Sequence, residues 1–252
     1  MIDYLRQLDL LDPKQIGDRS VSLIGAGATG SHIAWYLAQL GWGNASQGQG
    51  TLKVFDDDEV AEHNLANQIY EPSHVGAKKV TALKEMIVRK FGFEIDARPE
   101  KVTDQRNDVG AKYVFLLTDT MSSREEIFEK CLNFQFATDL VIETRMGLRD
   151  GRVYAFNPND PIHVAEWKKT LYKDEEAEVS ACGASASIIS TVTFLSALAV
   201  GRLVQHFNCN YGSDTLRVEG KPMKMWNEVH FSLYPEAMML REFGKEVEPV
   251  IF

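Results

Sequence analysis

The chain has 252 residues, of which 44% are hydrophobic and 25% are charged, and this composition is ordinary for a globular protein with a large core. Its net charge of −9 argues against non-specific nucleic-acid binding, which needs a positive surface. The three cysteines contain no CxxC pair, which excludes a four-thiolate zinc site within one chain and favours a reducing compartment. We therefore expect a cytoplasmic protein that does not bind nucleic acid.

Strands and helices are predicted to alternate along most of the chain. Short apolar runs indicate strands, and apolar residues at helical spacing indicate helices. In chain order, the predicted elements are a strand at 20–24, a helix at 31–40, a strand at 51–55, a helix at 78–91, a strand at 113–117, a helix at 122–132 capped by Ser122, strands at 140–143 and 152–156, a long apolar helix from Gly183, and strands at 216–218 and 229–233. This order predicts one α/β domain, 1–252, with a Rossmann-like, mostly parallel sheet and helices on both faces.

The long apolar helix needs to be tested as a membrane span. From Gly183 to Gly201 the sequence has no charged residue, and this length just reaches that of a spanning helix. Six serine and threonine residues between 185 and 196 make the segment more polar than a typical lipid-facing helix. We therefore expect a helix buried within the protein or at a subunit contact, and no membrane association.

A glycine motif follows the first predicted strand directly. Gly25, Gly27 and Gly30 form a GxGxxG pattern that opens the next helix, which is the context in which this pattern binds nucleotides. The first glycine permits a tight turn, the second lets the backbone approach a phosphate, and the third lets helix and strand pack closely. The helix N-terminus supplies a positive end for an anion. This glycine loop, Gly25 to Gly30, predicts a nucleotide site.

Polar residues after the glycine loop favour a triphosphate. The second strand ends at Asp56, 26 residues after Gly30, where a carboxylate can bond ribose hydroxyls and would repel the 2′-phosphate of NADP. Amide side chains at 64–68 and the lysine Lys79 follow, and a compact ammonium suits phosphate oxygens. Asp119 ends a later strand, and an acid beside a triphosphate binds Mg²⁺.

At this point the chain resembles the ThiF/MoeB/HesA superfamily, the activating enzymes of ubiquitin-like and sulfur-carrier proteins. The motifs that carry the resemblance are, in chain order, Tyr4-Leu5-Arg6-Gln7 for YxRQ, the glycine loop with its helix, Asp56-Asp57-Asp58 for DxD, Asn64-Leu65-Ala66-Asn67-Gln68 for NLxRQ, Val75-Gly76-x-x-Lys79 for VGxxK, Thr118-Asp119, and Cys182-Gly183 before an apolar helix. Each motif alone is modest, but their order and spacing together are specific.

The resemblance implies an adenylation fold, an activity and a set of roles. The implied activity is the ATP-dependent and Mg²⁺-dependent adenylation of a C-terminal glycine carboxylate on a ubiquitin-like or sulfur-carrier protein. By resemblance, Asp56 binds ribose, Asp58 and Asn64 line the pocket, Gln68 and Lys79 face the phosphates, Asp119 holds Mg²⁺, and Arg6 reaches the phosphates of the other subunit. The role of Arg6 implies a homodimer.

Several positions depart from the family pattern. Asn67 stands where the family has arginine, Thr120 stands where asparagine is usual, and the paired CxxC motifs of many members are missing. Cys182 either takes the activated acyl group or sulfur, or is a small buried residue among alanines and glycine. The alternatives to an active enzyme are a non-catalytic nucleotide-binding scaffold and, as a third choice, an NAD-dependent oxidoreductase.

Overall fold

The computed structural model describes most of the chain. The described residues are 19–44, 50–104, 108–133, 137–176, 188–211, 217–218, 221–222 and 225–245. Arg6 and Cys182, with the N-terminal YxRQ motif, lie outside these ranges, and their predicted roles stay predictions.

The described residues form ten strands, eight of which make one sheet. The strands are β1 (Val21–Ile24), β2 (Leu52–Phe55), β3 (Asp96–Arg98), β4 (Tyr113–Leu116), β5 (Leu140–Met146), β6 (Asp150–Phe156), β7 (Arg217–Val218), β8 (Lys221–Pro222), β9 (Glu228–Leu233) and β10 (Glu236–Arg241). The order in the large sheet is β10-β9-β6-β5-β4-β1-β2-β3, and β7 pairs with β8 separately.

The sheet is mostly parallel, as predicted, with an antiparallel extension at one side. The pairs β2–β3, β1–β2, β1–β4 and β4–β5 are parallel, whereas β5–β6, β6–β9 and β9–β10 are antiparallel. The change of direction occurs after β5, where the Gly147 N–H bonds the Asp150 carbonyl at 2.9 Å in a tight turn. A connection this short joins only antiparallel strands.

Helices cover both faces of the sheet, which confirms that prediction. The helices are α1 (Ala28–Gln39), α2 (Lys79–Phe91), α3 (Met121–Ile127, extended by a π-helical turn at Phe128–Leu132), α4 (Pro161–Lys168) and α5 (Ile189–Tyr211). Short 3₁₀ turns lie at Glu62–Ala66, Pro72–His74 and Asp174–Glu176. Alternate strand residues such as Leu23 and Ile142 pack with α1, α2 and α5, and their neighbours such as Ile24 and Val141 pack with α3 and α4.

The predicted cap of α3 was wrong. The helix begins at Met121, and Thr120 rather than Ser122 is its N-cap, since the Thr120 Oγ1 accepts the Ser123 N–H at 3.2 Å. The sequence reading placed α1 three residues late, and it did not predict α4, β3 or β10. The cap of α4 is Asp160, whose carboxylate accepts the N–H of Ile162, followed by a proline at the first helical position.

The helix α5 is longer than the apolar segment that predicted it, and it has 23 residues. One of its faces packs against the sheet and α1, with Val192, Leu195 and Leu203 completely buried. The predicted burial is therefore confirmed for that face. No helix within the described ranges is both long enough and apolar enough to cross a membrane.

Candidate nucleotide-binding site

Three neighbouring parallel strands end at the same edge of the sheet. Ile24 pairs with Phe55 on one side and with Leu116 on the other, so the residues that follow β1, β2 and β4 come together. The chain is tied at this edge, because the Gly25 N–H bonds the Phe55 carbonyl at 2.8 Å and the Leu117 N–H bonds the Ile24 carbonyl at 2.9 Å. In sheets of this type ligands bind at this edge, where the strand order reverses.

The three glycines of the glycine loop have three different surroundings. Gly25 has a φ of +107°, and a Cβ there would lie 2.8 Å from the Leu117 carbonyl oxygen. A Cβ on Gly30 would lie 2.0 Å from the Gly25 carbonyl oxygen, so Gly30 permits the close packing of α1 on the loop. Among the described residues, no atom lies within 4 Å of the Cβ position of Gly27, the N-cap of α1. Gly27 thus faces open space, where a phosphate can approach the helix N-terminus.

Asp56 is bonded directly to the glycine loop. Its Oδ2 accepts the Ala26 N–H at 2.6 Å and its Oδ1 accepts the Asp58 N–H at 2.9 Å. Burial raises the pKa of Asp56 above its usual value, although these two hydrogen bonds and Lys79 oppose that effect. The carboxylate is therefore held in one orientation beside the loop before any ligand binds.

Because the carboxyl of Asp56 is buried, we expect the difference in stability between Asp56→Asn and the parent protein to depend on pH. Its raised pKa means that the folded form keeps a proton where the unfolded chain, with a pKa of about 4, has lost it. The stability from that proton is present below about pH 4 and is lost as pH rises through the folded-state pKa. Asparagine does not titrate, so we expect the Tm of Asp56→Asn minus that of the parent to increase as pH rises above about 4. Thermal melts across this range measure it, and a difference independent of pH contradicts it.

Lys79 and Tyr70 fix two loops of the site. Lys79 contacts the loop that follows Asp56, and Tyr70 contacts the glycine loop. The Lys79 ammonium is 2.7 Å from the Asp58 carboxylate, and the Lys79 side chain is 8% exposed while that of Asp58 is 66% exposed. The Lys79 N–H also bonds the Asp58 carbonyl at 3.0 Å. The hydroxyl of the buried Tyr70 donates to the Ala26 carbonyl at 2.8 Å, which fixes the glycine loop. The sequence reading did not single out Tyr70, because a tyrosine two residues after Gln68 has no distinctive local pattern.

The two amides of the NLxRQ-like segment have different environments. Asn64 is buried, and its Oδ1 accepts the Ala61 N–H at 3.0 Å, which closes the turn at Glu62–Ala66. Gln68 Oε1 is buried and has no hydrogen-bond partner among the described residues. A buried polar atom without a partner costs free energy, so a ligand that bonds Gln68 would remove that cost.

Asp119 lies two residues beyond Leu117, at the same edge of the sheet, and its side chain is exposed. Within the described parts of the chain, no three His, Cys, Asp or Glu side chains are grouped closely enough to bind a metal ion. Arg124 is buried and pairs with Glu143 at 2.9 Å. Its spacing from Asp119 was visible in the sequence, but its buried partner on β5 was not.

The cysteines inside the described ranges are unsuited to nucleophilic chemistry. Cys131 is buried in the π-helical turn that extends α3, and burial raises the pKa of its thiol to about 11. Burial also raises the pKa of the Cys209 thiol. A thiol that stays protonated at neutral pH is a poor nucleophile.

Comparisons with known proteins agree on one family. The sequence profile of the ThiF family matches residues 4–235 of this chain. The chain is 26% identical over 224 residues to the sulfur carrier protein ThiS adenylyltransferase of Escherichia coli K12, with 80% of each protein covered. It is also 32% identical over 77 residues to ubiquitin-like modifier-activating enzyme 5 of Caenorhabditis briggsae. This match covers 31% of this chain and 16% of that enzyme.

The fold is similar to that of a solved structure. The crystal structure of E. coli MccB with AMPCPP and selenomethionine-labelled MccA matches with a TM-score of 0.63 at 12% identity. The match covers 95% of this chain and 68% of that chain. At this identity the likeness shows the fold alone, and it confirms the predicted adenylation fold.

Proposed function

This chain belongs to the ThiF family, and on that premise we propose that it uses ATP to adenylate the C-terminal carboxylate of a ubiquitin-like or sulfur-carrier protein. The name of the E. coli relative, ThiS adenylyltransferase, supports both the reaction and a carrier-protein substrate. The presence of AMPCPP in the MccB structure supports ATP as the nucleotide. The C-terminal glycine of the partner is part of the proposal.

The observation that carries the proposal is the arrangement of Asp56 and Lys79 around the glycine loop. Asp56 is fixed against the Ala26 N–H, and Lys79 is fixed against Asp58, at the edge where α1 begins. An acid for ribose, a cation for phosphate and an uncapped helix N-terminus match the three parts of a nucleoside triphosphate.

In the proposed reaction, an oxygen of the partner's carboxylate attacks the α-phosphorus of ATP. The bond from the α-phosphorus to the bridging oxygen breaks, and pyrophosphate leaves with that electron pair, so that an acyl adenylate remains. Because the site provides position and charge rather than covalent chemistry, the roles of the chain are to orient the nucleotide and neutralise its phosphates. We assign these roles to the glycine loop, Gln68 and Lys79.

The residues present fit a requirement for Mg²⁺. In proteins Mg²⁺ is held by one or two carboxylates and completes its coordination with substrate phosphates and water. Asp119 is an exposed carboxylate at the strand edge where the phosphates are proposed to lie, and it is the residue that we assign to the metal. When bound, Mg²⁺ spreads the charge of the phosphate oxygens.

Two further parts of the proposal concern residues outside the described ranges. We propose that Arg6 reaches the phosphates in the other subunit of a homodimer. We also propose that the thiolate of Cys182 then attacks the acyl carbon of the adenylate, so that a thioester forms and AMP leaves with the electrons of the broken carbon–oxygen bond. Both assignments depend on the family resemblance of the motifs that contain them.

An exchange assay tests the adenylation. We expect labelled pyrophosphate to enter ATP only when Mg²⁺ and the correct carrier protein are both present, because the exchange requires the acyl adenylate to form and reverse. The matched control is the same carrier with its C-terminal carboxylate converted to an amide, which removes the nucleophile and should abolish exchange.

The exchange assay can also contradict the adenylation proposal. If ATP binds by calorimetry but no ubiquitin-like or sulfur-carrier candidate supports exchange, the adenylation proposal is wrong. Binding of NADH in preference to ATP would instead favour the oxidoreductase alternative.

A second candidate function is a nucleotide-binding scaffold that pairs with an active subunit. Its support is Asn67, a neutral side chain where the resemblance expects arginine, which removes one cation from the triphosphate site. This candidate predicts nucleotide binding without exchange, and a biological activity that survives the loss of Lys79.

A further inference from the structure

A cluster of buried charges lies beneath the edge of the sheet that bears Asp119. Glu143 is fully buried on β5, beside Leu116 on β4, and we call Glu143, Arg124 and Arg145 the Glu143 cluster. Glu143 Oε1 accepts from Arg124 Nη1 at 2.9 Å and from Arg145 Nε at 2.7 Å. Its Oε2 accepts from Arg145 Nη2 at 2.9 Å and from Trp167 Nε1 at 2.6 Å. The carboxylate therefore has four donors.

Stability alone is a weak reason for such a cluster. Burial opposes the ionisation of Glu143, but Arg124 and Arg145 outweigh it and hold the pKa of Glu143 below its usual range. Taking these charges out of water is costly, and apolar replacements of buried ion pairs are often equally or more stable. The contacts that the cluster makes outside itself are therefore the informative ones.

The first of these contacts fixes the peptide that precedes Asp119. Arg124 donates from Nε to the Thr118 carbonyl at 2.9 Å, and its Nη2 donates to the same oxygen. That carbonyl belongs to the peptide bond between Thr118 and Asp119, so the planar guanidinium sets the plane of this peptide. The orientation of this peptide constrains the direction in which the Asp119 side chain leaves the backbone.

The second contact leads to the residues that follow Asp119. Arg145 donates to the Thr170 carbonyl at 2.5 Å and to the Thr170 Oγ1 at 2.9 Å, which holds the end of α4. Four residues later, the Asp174 carboxylate accepts the Met121 N–H at 2.6 Å and the Ser122 N–H at 3.3 Å. Asp119 thus lies between two restrained points, and both are connected to Glu143.

We propose that the Glu143 cluster positions the Asp119 carboxylate, so that Arg124 and Glu143 set how strongly Mg²⁺ improves ATP binding without contacting either ligand. The proposal rests on the proposed function for the identity of the nucleotide and the metal. Arg124, Glu143 and Asp174 are positioning residues, since each acts on Asp119 through the backbone. Supporting groups of this kind change metal affinity by about 10-fold to 100-fold when replaced.

The test compares ATP binding with and without the metal. Calorimetric titration in EDTA and in excess Mg²⁺ gives two Kd values for each variant, and their ratio measures the metal enhancement. We expect Asp119→Asn to abolish most of that enhancement. Arg124→Lys keeps the charge beside Glu143 but loses the planar fork, and we expect it to lower the ratio by about 10-fold while the Kd in EDTA changes by less than about 3-fold.

The matched control is Glu126→Gln on the same helix. Glu126 pairs with Lys130 at 2.5 Å on an exposed face, so its replacement should leave the ratio unchanged. Glu143→Gln should lower the ratio as Arg124→Lys does, and if it does not fold, Asp174→Ala tests the other restraint without altering a buried charge.

Three results would overturn the inference. The first is an unchanged ratio in folded Arg124→Lys and Asp174→Ala, and the second is an equal loss of affinity in EDTA and in Mg²⁺, which marks a purely structural role. A parent protein whose ATP binding ignores Mg²⁺ also overturns it. A parent with metal-enhanced ATP binding but no exchange activity loses the proposed function and keeps this inference.

Discussion

Lys79→Ala is expected to lower the rate of ATP–pyrophosphate exchange by about 100-fold to 1,000-fold, which is the effect of removing one positioned charge-stabilising donor. Lys79 is buried, so an interaction of its ammonium with a phosphate would be strengthened by the exclusion of water. Its present partner, Asp58, is largely exposed and stays hydrated when the lysine is removed. The variant should therefore fold and lose activity rather than unfold.

The adjacent lysine provides the control. Lys78 is exposed, and its ammonium lies 3.3 Å from the Glu59 carboxylate and 2.9 Å from the Asp57 carbonyl. Lys78→Ala removes the same charge one residue away and should leave the exchange rate within about 3-fold, because an exposed ion pair contributes little. Equal losses in the two variants would show that bulk charge rather than the position of Lys79 matters.

Gly30→Ala is expected to lower the stability of the fold, whereas Gly27→Ala is expected to lower only the affinity for the nucleotide. The added methyl of Gly30→Ala would meet the Gly25 carbonyl oxygen at 2.0 Å, so the backbone of the glycine loop or α1 must move. We expect the free energy of unfolding to fall by more than about 3 kcal/mol, at the upper end of the effects of overpacking. For a chain of this length that loss lowers the Tm by roughly 6 to 12 °C.

The matched variant Gly27→Ala separates stability from binding. Its methyl would meet no atom of the described residues within 4 Å, and the φ of Gly27, −73°, lies outside the left-handed region that favours glycine. Its Tm should stay within about 3 °C of the parent, while ATP affinity falls by about 10-fold or more because the methyl occupies the approach to the helix N-terminus. Thermal melts and calorimetry measure both quantities, and unchanged ATP affinity in Gly27→Ala would place the phosphates elsewhere.

Local patterns in the sequence were sufficient for the parallel half of the fold. The apolar strands 20–24, 51–55 and 113–117 were predicted within one residue of β1, β2 and β4 at each end. Their burial makes them mostly apolar, with Ser22 in β1 and Lys53 in β2 as the exceptions, and this is a strong signal. The antiparallel half was only partly predicted, because β10 is mostly exposed and carries no clear alternation of apolar and polar residues.

The candidate site was also only partly predictable from the sequence. The glycine loop, Asp56 and Asp119 follow strand ends, and the parallel order of β1, β2 and β4 is enough to bring them to one edge. Thr120 illustrates the limit of this reading. In the sequence it was noted only as a departure from the family pattern, whereas in the structure its hydroxyl caps α3.

The sequence by itself determined the glycine loop, the acids and lysine after it, and the family, because each is a short pattern whose meaning depends on neighbours along the chain. Only the tertiary structure decided that Tyr70 holds Ala26 and that Glu143 joins Arg124 to Arg145. The contacts of Tyr70 and Arg124 connect residues 44 and 19 positions apart. No local periodicity records such a contact, since it exists only when strands from different parts of the chain become neighbours in the sheet.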